Sequence, residues 1–314
     1  MIEVSNLSRR YGTVQALRGV SLQVEGNGIT GILGQNGAGK TTLLNILTGY
    51  LAPTEGWVKI GGQDTLLSPM AARRNIGYLP ENPPLYDDMT VKEYLFFASR
   101  LRGVAEKAVA DHVEEVMALT GLTAMKKRLV GHLSKGYRQR AGLAQALCGD
   151  GEILVLDEPT VGLDPLQITE IRSLIRKLGR EKTILFSSHI LSEVEQLCDR
   201  ILILDRGEVR LDTALVQQNR GILCKWRGSQ KPLSLLKALP GLLQLETLPG
   251  EGELRCVRLF FEPGTEHPEE RIFRCFSTSG VPLQCLCREQ NSLEKIFLNV
   301  LEEQKEEQKE GEEK

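Results

Sequence analysis

A short apolar run, Ile29 to Leu33, leads directly into Gly34-Gln35-Asn36-Gly37-Ala38-Gly39-Lys40-Thr41-Thr42, and that loop leads into Leu43-Leu44-Asn45-Ile46-Leu47. The apolar run reads as a buried strand and the last segment as a helix. Between them stands G-x-x-x-x-G-K-T, the loop whose glycines let successive N–H groups turn toward bound phosphate at a helix N-terminus. Gly34, Asn36, Gly37, Ala38, Gly39, Lys40, Thr41 and Thr42 are therefore expected to contact a nucleoside triphosphate. Lys40 would reach its β- and γ-phosphates and the Thr41 hydroxyl would ligate Mg²⁺. A strand-loop-helix of this kind requires an α/β fold with the loop at the carboxyl end of a parallel sheet.

Two further strand ends fit the same sheet. Ile153 to Leu156 is apolar and ends in Asp157-Glu158-Pro159. Asp157 is expected to hold Mg²⁺ through water, and Glu158 to polarise the attacking water as general base. Side chains alternate along a strand, so the two carboxylates are expected to point apart and to have different roles. Thr160-Val161-Gly162-Leu163-Asp164-Pro165 then makes a turn before a helix. Thr183 to Phe186 is another strand, ending at Ser187-Ser188-His189, which places His189 where a γ-phosphate contact is expected.

These residues, together with Leu133-Ser134-Lys135-Gly136-Tyr137-Arg138-Gln139-Arg140, resemble the ATP-binding cassette (ABC) ATPases in motif order and spacing over about Met1 to Leu211. The resemblance implies a P-loop cassette with a RecA-like core, an antiparallel β subdomain and a helical subdomain. It implies that Tyr11 stacks on adenine, that Ser134 and Gly136 contact the γ-phosphate held by a second cassette, that Asp164 acts across the dimer and that His189 is the switch histidine. Two cassettes would pair head-to-tail, trap two ATP molecules, hydrolyse them and separate. Glu81 stands where the family usually has glutamine, and would touch Mg²⁺ or the water. The signature reads Ser-Lys-Gly-Tyr rather than Ser-Gly-Gly-Gln. Lys135 and Tyr137 resemble a subgroup of export-type cassettes, including those linked to gliding motility and drug resistance.

The rest of the chain bounds the partners. No stretch approaches the eighteen or so apolar residues needed to span a bilayer, and Glu3 and Arg9-Arg10 interrupt any apolar leader. A permease is therefore expected on a separate chain, with this one peripheral on the cytoplasmic face of the membrane. The formal net charge of −2 argues against a nucleic-acid binder. The seven cysteines carry no secretory pattern, and Cys285-x-Cys287 is expected to place two thiols on one face of a strand. Alternative readings are a soluble cassette acting on ribosomes or nucleic acid, and a GTPase switch. The single P-loop, the short helical segment and the lack of an Asn/Thr-Lys-x-Asp element weigh against them.

The expected organisation is a cassette over residues 1–212, with its helical subdomain at about 88–149. Val91–Leu101 and Ala105–Leu119 show helical spacing, and the signature opens a helix over Gly136–Cys148. A small α+β domain follows over 213–301. Strands at Gly221–Trp226, Leu242–Thr247, Leu254–Phe261 and Pro282–Cys287 and helices at Leu233–Leu239 and Glu266–Thr278 give βαββαβ, a ferredoxin-like order. A last helix over Leu293–Leu301, capped by Asn291 with Glu294, and an acidic tail over 302–314 close the chain.

Overall fold

The computed structural model describes residues 1–214, 221–249, 252–262 and 265–288. The expected helix over 293–301, its capping pair and the acidic tail lie outside these residues. The chain divides into two compact units, Met1–Leu215 and Val216–Lys314.

The first unit opens with a long antiparallel hairpin, β1 (Ile2–Tyr11) and β2 (Val14–Val24). β3 (Gly28–Leu33) carries the chain into the phosphate loop and α1 (Lys40–Leu47). β4 (Glu55–Ile60) and the two-residue β5 (Gln63–Asp64) complete the first sheet in the order β2-β1-β4-β5, all antiparallel. After α2 (Pro69–Arg74), β6 (Ile76–Leu79) enters a second sheet. Three helices follow: α3 (Val91–Leu101), α4 (Glu106–Leu119) and α5 (Lys135–Leu147). The chain then alternates through β7 (Ile153–Asp157), α6 (Pro165–Leu178), β8 (Thr183–Ser188), α7 (Leu191–Leu197), β9 (Arg200–Asp205) and β10 (Glu208–Ala214). The second sheet has the order β10-β9-β3-β8-β7-β6. It is parallel from β9 to β6 and antiparallel only at β10.

The two sheets share one core. Ile2, Val4, Leu7 and Leu17 of the hairpin and Ile32, Val155, Leu185 and Leu202 of the parallel sheet pack around Leu43, Leu44, Ile46 and Leu47. Those four residues of α1 are completely buried. Together they form an apolar arc over about half of the helix, stable only where apolar surface covers it. Both sheets therefore fix its axis, and with it the loop at its N-terminus.

The helical segment folds on local signals. Thr90 and Glu93 form a capping box at the start of α3: the Glu93 N–H donates to the Thr90 hydroxyl, and the Thr90 N–H donates to the Glu93 carboxylate at 2.9 Å. Val91, Tyr94, Leu95 and Ala98 form the buried face of α3, and Val109, Val113, Val116 and Met117 that of α4. The segment is clasped to the core by Arg102. Its guanidinium donates to the carbonyls of Cys148 and Arg73, each at 3.2 Å, and to that of Ile76. Burial lowers the Arg102 pKa from its usual value, so three carbonyl acceptors stand in for lost water.

The second unit begins with β11 (Ile222–Arg227) and α8 (Lys231–Lys237). β12 (Leu242–Leu248), β13 (Leu254–Phe261), α9 (Pro268–Ser279) and β14 (Leu283–Arg288) follow. This is the βαββαβ order expected from sequence. Its antiparallel sheet runs β12-β13-β11-β14, so the first strand lies between the third and the last. Trp226 is fully buried, 5.3 Å from Phe276 in an edge-to-face pair, and Ile272, Leu236 and Leu259 surround them. Cys285 and Cys287 do share a face, with their sulfurs 3.7 Å apart.

The join between helical segment and parallel sheet is tight at Gly77 in β6. A Cβ there would lie 2.0 Å from the Ala146 carbonyl oxygen of α5. Gly77→Ala should therefore cost about 1–3 kcal/mol by overpacking. Urea unfolding should show a lower midpoint with little change in slope; an unchanged midpoint would mean that α5 gives way freely.

Candidate functional site

The site is assembled at the carboxyl ends of β3, β7 and β8. Gly39 precedes α1 at φ +105°, and a Cβ on it would come 2.7 Å from the Ala16 carbonyl and 2.9 Å from Leu17. Only glycine fits this entry into the helix. The first helical bond runs from the Leu43 N–H to the Gly39 carbonyl, 2.9 Å, so the N–H groups of Lys40, Thr41 and Thr42 precede any intrahelical partner. Together with the turn of Asn36, Gly37 and Ala38 they make an anion-binding concavity at the positive end of α1.

Lys40 is buried, and its ammonium donates to the Gly34 carbonyl at 2.7 Å and the Gln35 carbonyl at 3.3 Å. It also pairs with Glu158, Nζ to Oε1 3.4 Å. The other Glu158 oxygen lies 2.8 Å from His189 Nδ1. Glu158 is nine-tenths buried, whereas 43% of the His189 side chain stays open to solvent. The structure thus brings Lys40, Glu158 and His189 into one chain of contacts.

Asp157 ends β7 and is almost fully buried. The Ser187 hydroxyl donates to its Oδ1 at 2.6 Å and accepts the Glu158 N–H at 2.9 Å. The Thr41 hydroxyl also acts on it. Burial raises the Asp157 pKa above the usual carboxylate range; Ser187 and Thr41 oppose that shift, and the Glu158 charge adds to it. Thr41 and Asp157 supply oxygen donors suited to a small, hard divalent cation. No cluster of three or more His, Cys, Asp or Glu groups among the described residues could cage a metal unaided. A cation here would complete its shell with phosphate and water.

One expectation is corrected. Asp157 and Glu158 do not alternate as neighbours on a strand, because Glu158 lies past the end of β7 with φ +48°. That left-handed backbone turns the second carboxyl back toward Lys40, so both act at the same loop from different directions.

Glu81 is exposed and opens onto a cleft of about 940 Å³ that also reaches Thr41, Asn45, Asp157 and the Pro84-to-Tyr86 stretch. Tyr86 packs edge-on to Tyr94 and Phe97 in this cleft. Tyr11 ends β1 and is 43% exposed, with the Arg9 guanidinium 4.8 Å over its ring. Ser134 is the exposed N-cap of α5, and Gly136 is buried where a Cβ would meet Gln167 Oε1 at 2.4 Å. Asp164 caps α6 by accepting the Gln167 N–H at 2.9 Å. Ser134 and Gly136 do not line the cleft that holds Thr41 and Asp157.

Residues 17–161 match the family model "ABC transporter". The uncharacterized ABC transporter ATP-binding protein YxlF of Bacillus subtilis is 39% identical over 209 residues, which are 67% of this chain and 69% of that protein. The chain belongs to the ABC transporter ATP-binding family. The bacitracin transport ATP-binding protein BcrA of Bacillus licheniformis is 39% identical over 211 residues, covering 67% of this chain and 68% of BcrA. A dimeric, post-hydrolysis structure of the cassette MJ0796, bound to ADP and phosphate, superposes with a TM-score of 0.63 at 26% identity. It covers 69% of this chain and 99% of that one. This member is thus an ATP-hydrolysing, transport-associated cassette, and its nucleotide is ATP.

Sequence reasoning did not pick out Ser187, Glu193 or Arg172. Ser187 had a signal, a hydroxyl at the end of an apolar strand, where a buried polar group needs a partner. Glu193 and Arg172 had none, since a charged residue in a helix reads as solvated.

The raised pKa of Asp157 has a consequence for stability. Its ionised form destabilises the nucleotide-free fold above the folded-state pKa, and that cost disappears below the unfolded-state value. Asp157→Asn should therefore raise the melting temperature of the nucleotide-free cassette at neutral pH, with the gain shrinking toward about pH 4. Melting curves across that range check it, and a lower melting temperature at neutral pH would contradict it.

Proposed function

We propose that the Lys40–Glu158–His189 arrangement carries ATP hydrolysis, and that two copies of this chain close head-to-tail to perform it. The single observation behind this reading is the buried Glu158 carboxyl. It stands between the P-loop ammonium and the switch histidine at the ends of three parallel strands.

ATP would settle with its phosphates on the loop N–H groups and Lys40. The Lys40 ammonium exchanges the Gly34 and Gln35 carbonyls for β- and γ-phosphate oxygens, and so releases Glu158. The freed carboxylate accepts a proton from a water aligned on the γ-phosphate. His189 orients Glu158 and, being half exposed, swings to the γ-phosphate. Thr41 and Asp157 would hold Mg²⁺, with Glu81 facing it across the cleft; the ion neutralises phosphate charge when bound. Tyr11, exposed at the end of β1, offers a ring face to adenine. Ser134 and Gly136, absent from the chain's own cleft, suit a second copy's γ-phosphate, with Asp164 beside them.

The cleft between Glu81 and the Tyr86–Tyr94–Phe97 cluster suits a short helix from a separate permease. Tyr86 is more than half exposed there, an amphipathic ring of the kind that docking surfaces use. Among the described residues no helix is long and apolar enough to cross a membrane, so this chain would sit against that permease at the cytoplasmic face. Lys135 and Tyr137 support an exporter, and the name of BcrA agrees with transport as the output. The second unit has the strand order of a ferredoxin-like domain, and we assign it an accessory role.

Glu158→Gln should bind ATP normally, lose turnover by about a hundredfold or more and accumulate as an ATP-bound dimer. Size-exclusion chromatography with ATP, alongside phosphate release, checks both parts. Turnover at the parent rate would remove Glu158 as the base.

A further inference from the structure

Among the described residues, Glu193 is the one completely buried carboxyl near the site for which the hydrolytic cycle gives no use. It lies in α7 with 1% exposure and collects donors from three places. The Thr160 hydroxyl donates to its Oε2 at 2.8 Å, and the Ser188 hydroxyl donates to the same oxygen at 2.9 Å. Arg172 of α6 donates to Oε1 at 3.0 Å and extends its other terminal nitrogen to Gln196 at 2.8 Å. A buried carboxyl is retained at such cost only when its acceptor sites are filled. Here they are filled by the two segments that leave the catalytic strands.

The contacts bracket the catalytic groups. Ser188 directly precedes His189, and its hydroxyl also accepts the Ile190 N–H at 3.0 Å. Both neighbours of His189 are thereby fixed to one oxygen, which Glu193 in turn holds. Thr160 lies two residues after Glu158 and begins the turn that ends at the Asp164 cap. Without this anchor, the φ +48° backbone at Glu158 and the exposed His189 ring would rest on their mutual 2.8 Å contact, the Lys40 and Ser187 contacts and the Val161 N–H on the Glu158 carbonyl at 3.2 Å.

We infer that Glu193 is a positioning residue for ATP hydrolysis. It locks the His189 segment and the Thr160-to-Asp164 turn into one register, so that Glu158 and His189 meet the γ-phosphate together. It touches neither nucleotide nor water. The inference rests on Glu158 and His189 being the hydrolytic pair.

The test uses the full chain and steady-state ATPase assays paired with melting curves. Glu193→Gln leaves Arg172 charged and unpaired, so both turnover and melting temperature should fall. Glu193→Gln combined with Arg172→Met removes the unpaired charge and should recover most of the melting temperature. Its kcat should stay about 10- to 100-fold down, because a misplaced reacting group is not corrected by stability. KM for ATP should remain within about twofold of the parent, since the phosphate loop is untouched. Thr160→Val and Ser188→Ala each release one side of the anchor and should show the same kcat-only loss; they carry the test if Glu193→Gln does not fold. Recovery of kcat together with melting temperature in the double variant would reduce Glu193 to a structural role and overturn the inference. So would parent-rate turnover in both hydroxyl variants. Glu158→Gln separates the levels: parent-rate turnover there overturns the hydrolytic pair itself. An inactive Glu158→Gln beside fully active Thr160→Val and Ser188→Ala overturns only the role of Glu193.

Discussion

The contact between Lys40 and Glu158 is the point on which the cassette turns. Both side chains are buried, and in the proposed cycle one would take phosphate and the other water. An ammonium taken out of water must be satisfied, and here two loop carbonyls and one carboxylate do so. In the hydrolytic cycle proposed above, phosphate oxygens would compete for that ammonium, so that ATP binding and release of the Glu158 carboxyl would be one event. His189 would remain the partner of Glu158, and its exposure would leave it free to follow the phosphate.

That exchange requires a rigid frame, which is supplied by burial rather than by propensity. α1 has eight residues, too few to be stable alone in water. It persists because two sheets of different kinds close on it, which makes the antiparallel hairpin as necessary to the phosphate loop as the parallel strands. The helical segment is held differently. Arg102 ties it to three backbone carbonyls, and Gly77 lets α5 approach β6 at backbone distance. The cleft lined by Glu81 lies between the part held by a large apolar core and the part held by these local contacts.

Local periodicity made the strands and helices legible, including the βαββαβ order of the second unit, because each element there is bounded by its own turn residues. The phosphate loop was legible because its glycines and lysine are contiguous. The capping box at Thr90-x-x-Glu93 marks the start of α3, and sequence reasoning passed over it. What the sequence hides is pairing over distance. Arg172 reaches Glu193 across 21 positions, and Ser187 reaches Asp157 across 30. Neither pair has a spacing rule, since the strand ends that carry Asp157 and Ser187 and the helices that carry Arg172 and Glu193 meet only after the sheet is assembled. The backbone turn at Glu158 was hidden for another reason. Nothing local demands positive φ of a glutamate; the fold imposes it by drawing its N–H to Ser187 and its carboxyl to Lys40.

Of the substituted signature residues, Lys135 gains a packing role from the same geometry. Lys135 opens α5, where a cation opposes the helix dipole, so its choice needs another reason. Its ammonium lies over Gly162: a Cβ there would come within 1.9 Å of Nζ, and the φ of +70° already favours glycine. The next residue, Gly136, admits the Gln167 side chain of α6, and the Gln167 backbone N–H donates to Asp164. The N-terminus of α5 is thus packed on the turn that starts at Thr160, two residues after Glu158. Any shift of that turn would press on Ser134 and Gly136 as well, because glycine at 136 and 162 leaves little slack between the surfaces. In the proposed head-to-tail pair, the surface offered to a second copy's phosphate would therefore be mechanically joined to the chain's own Glu158, and neither site would change without altering the other.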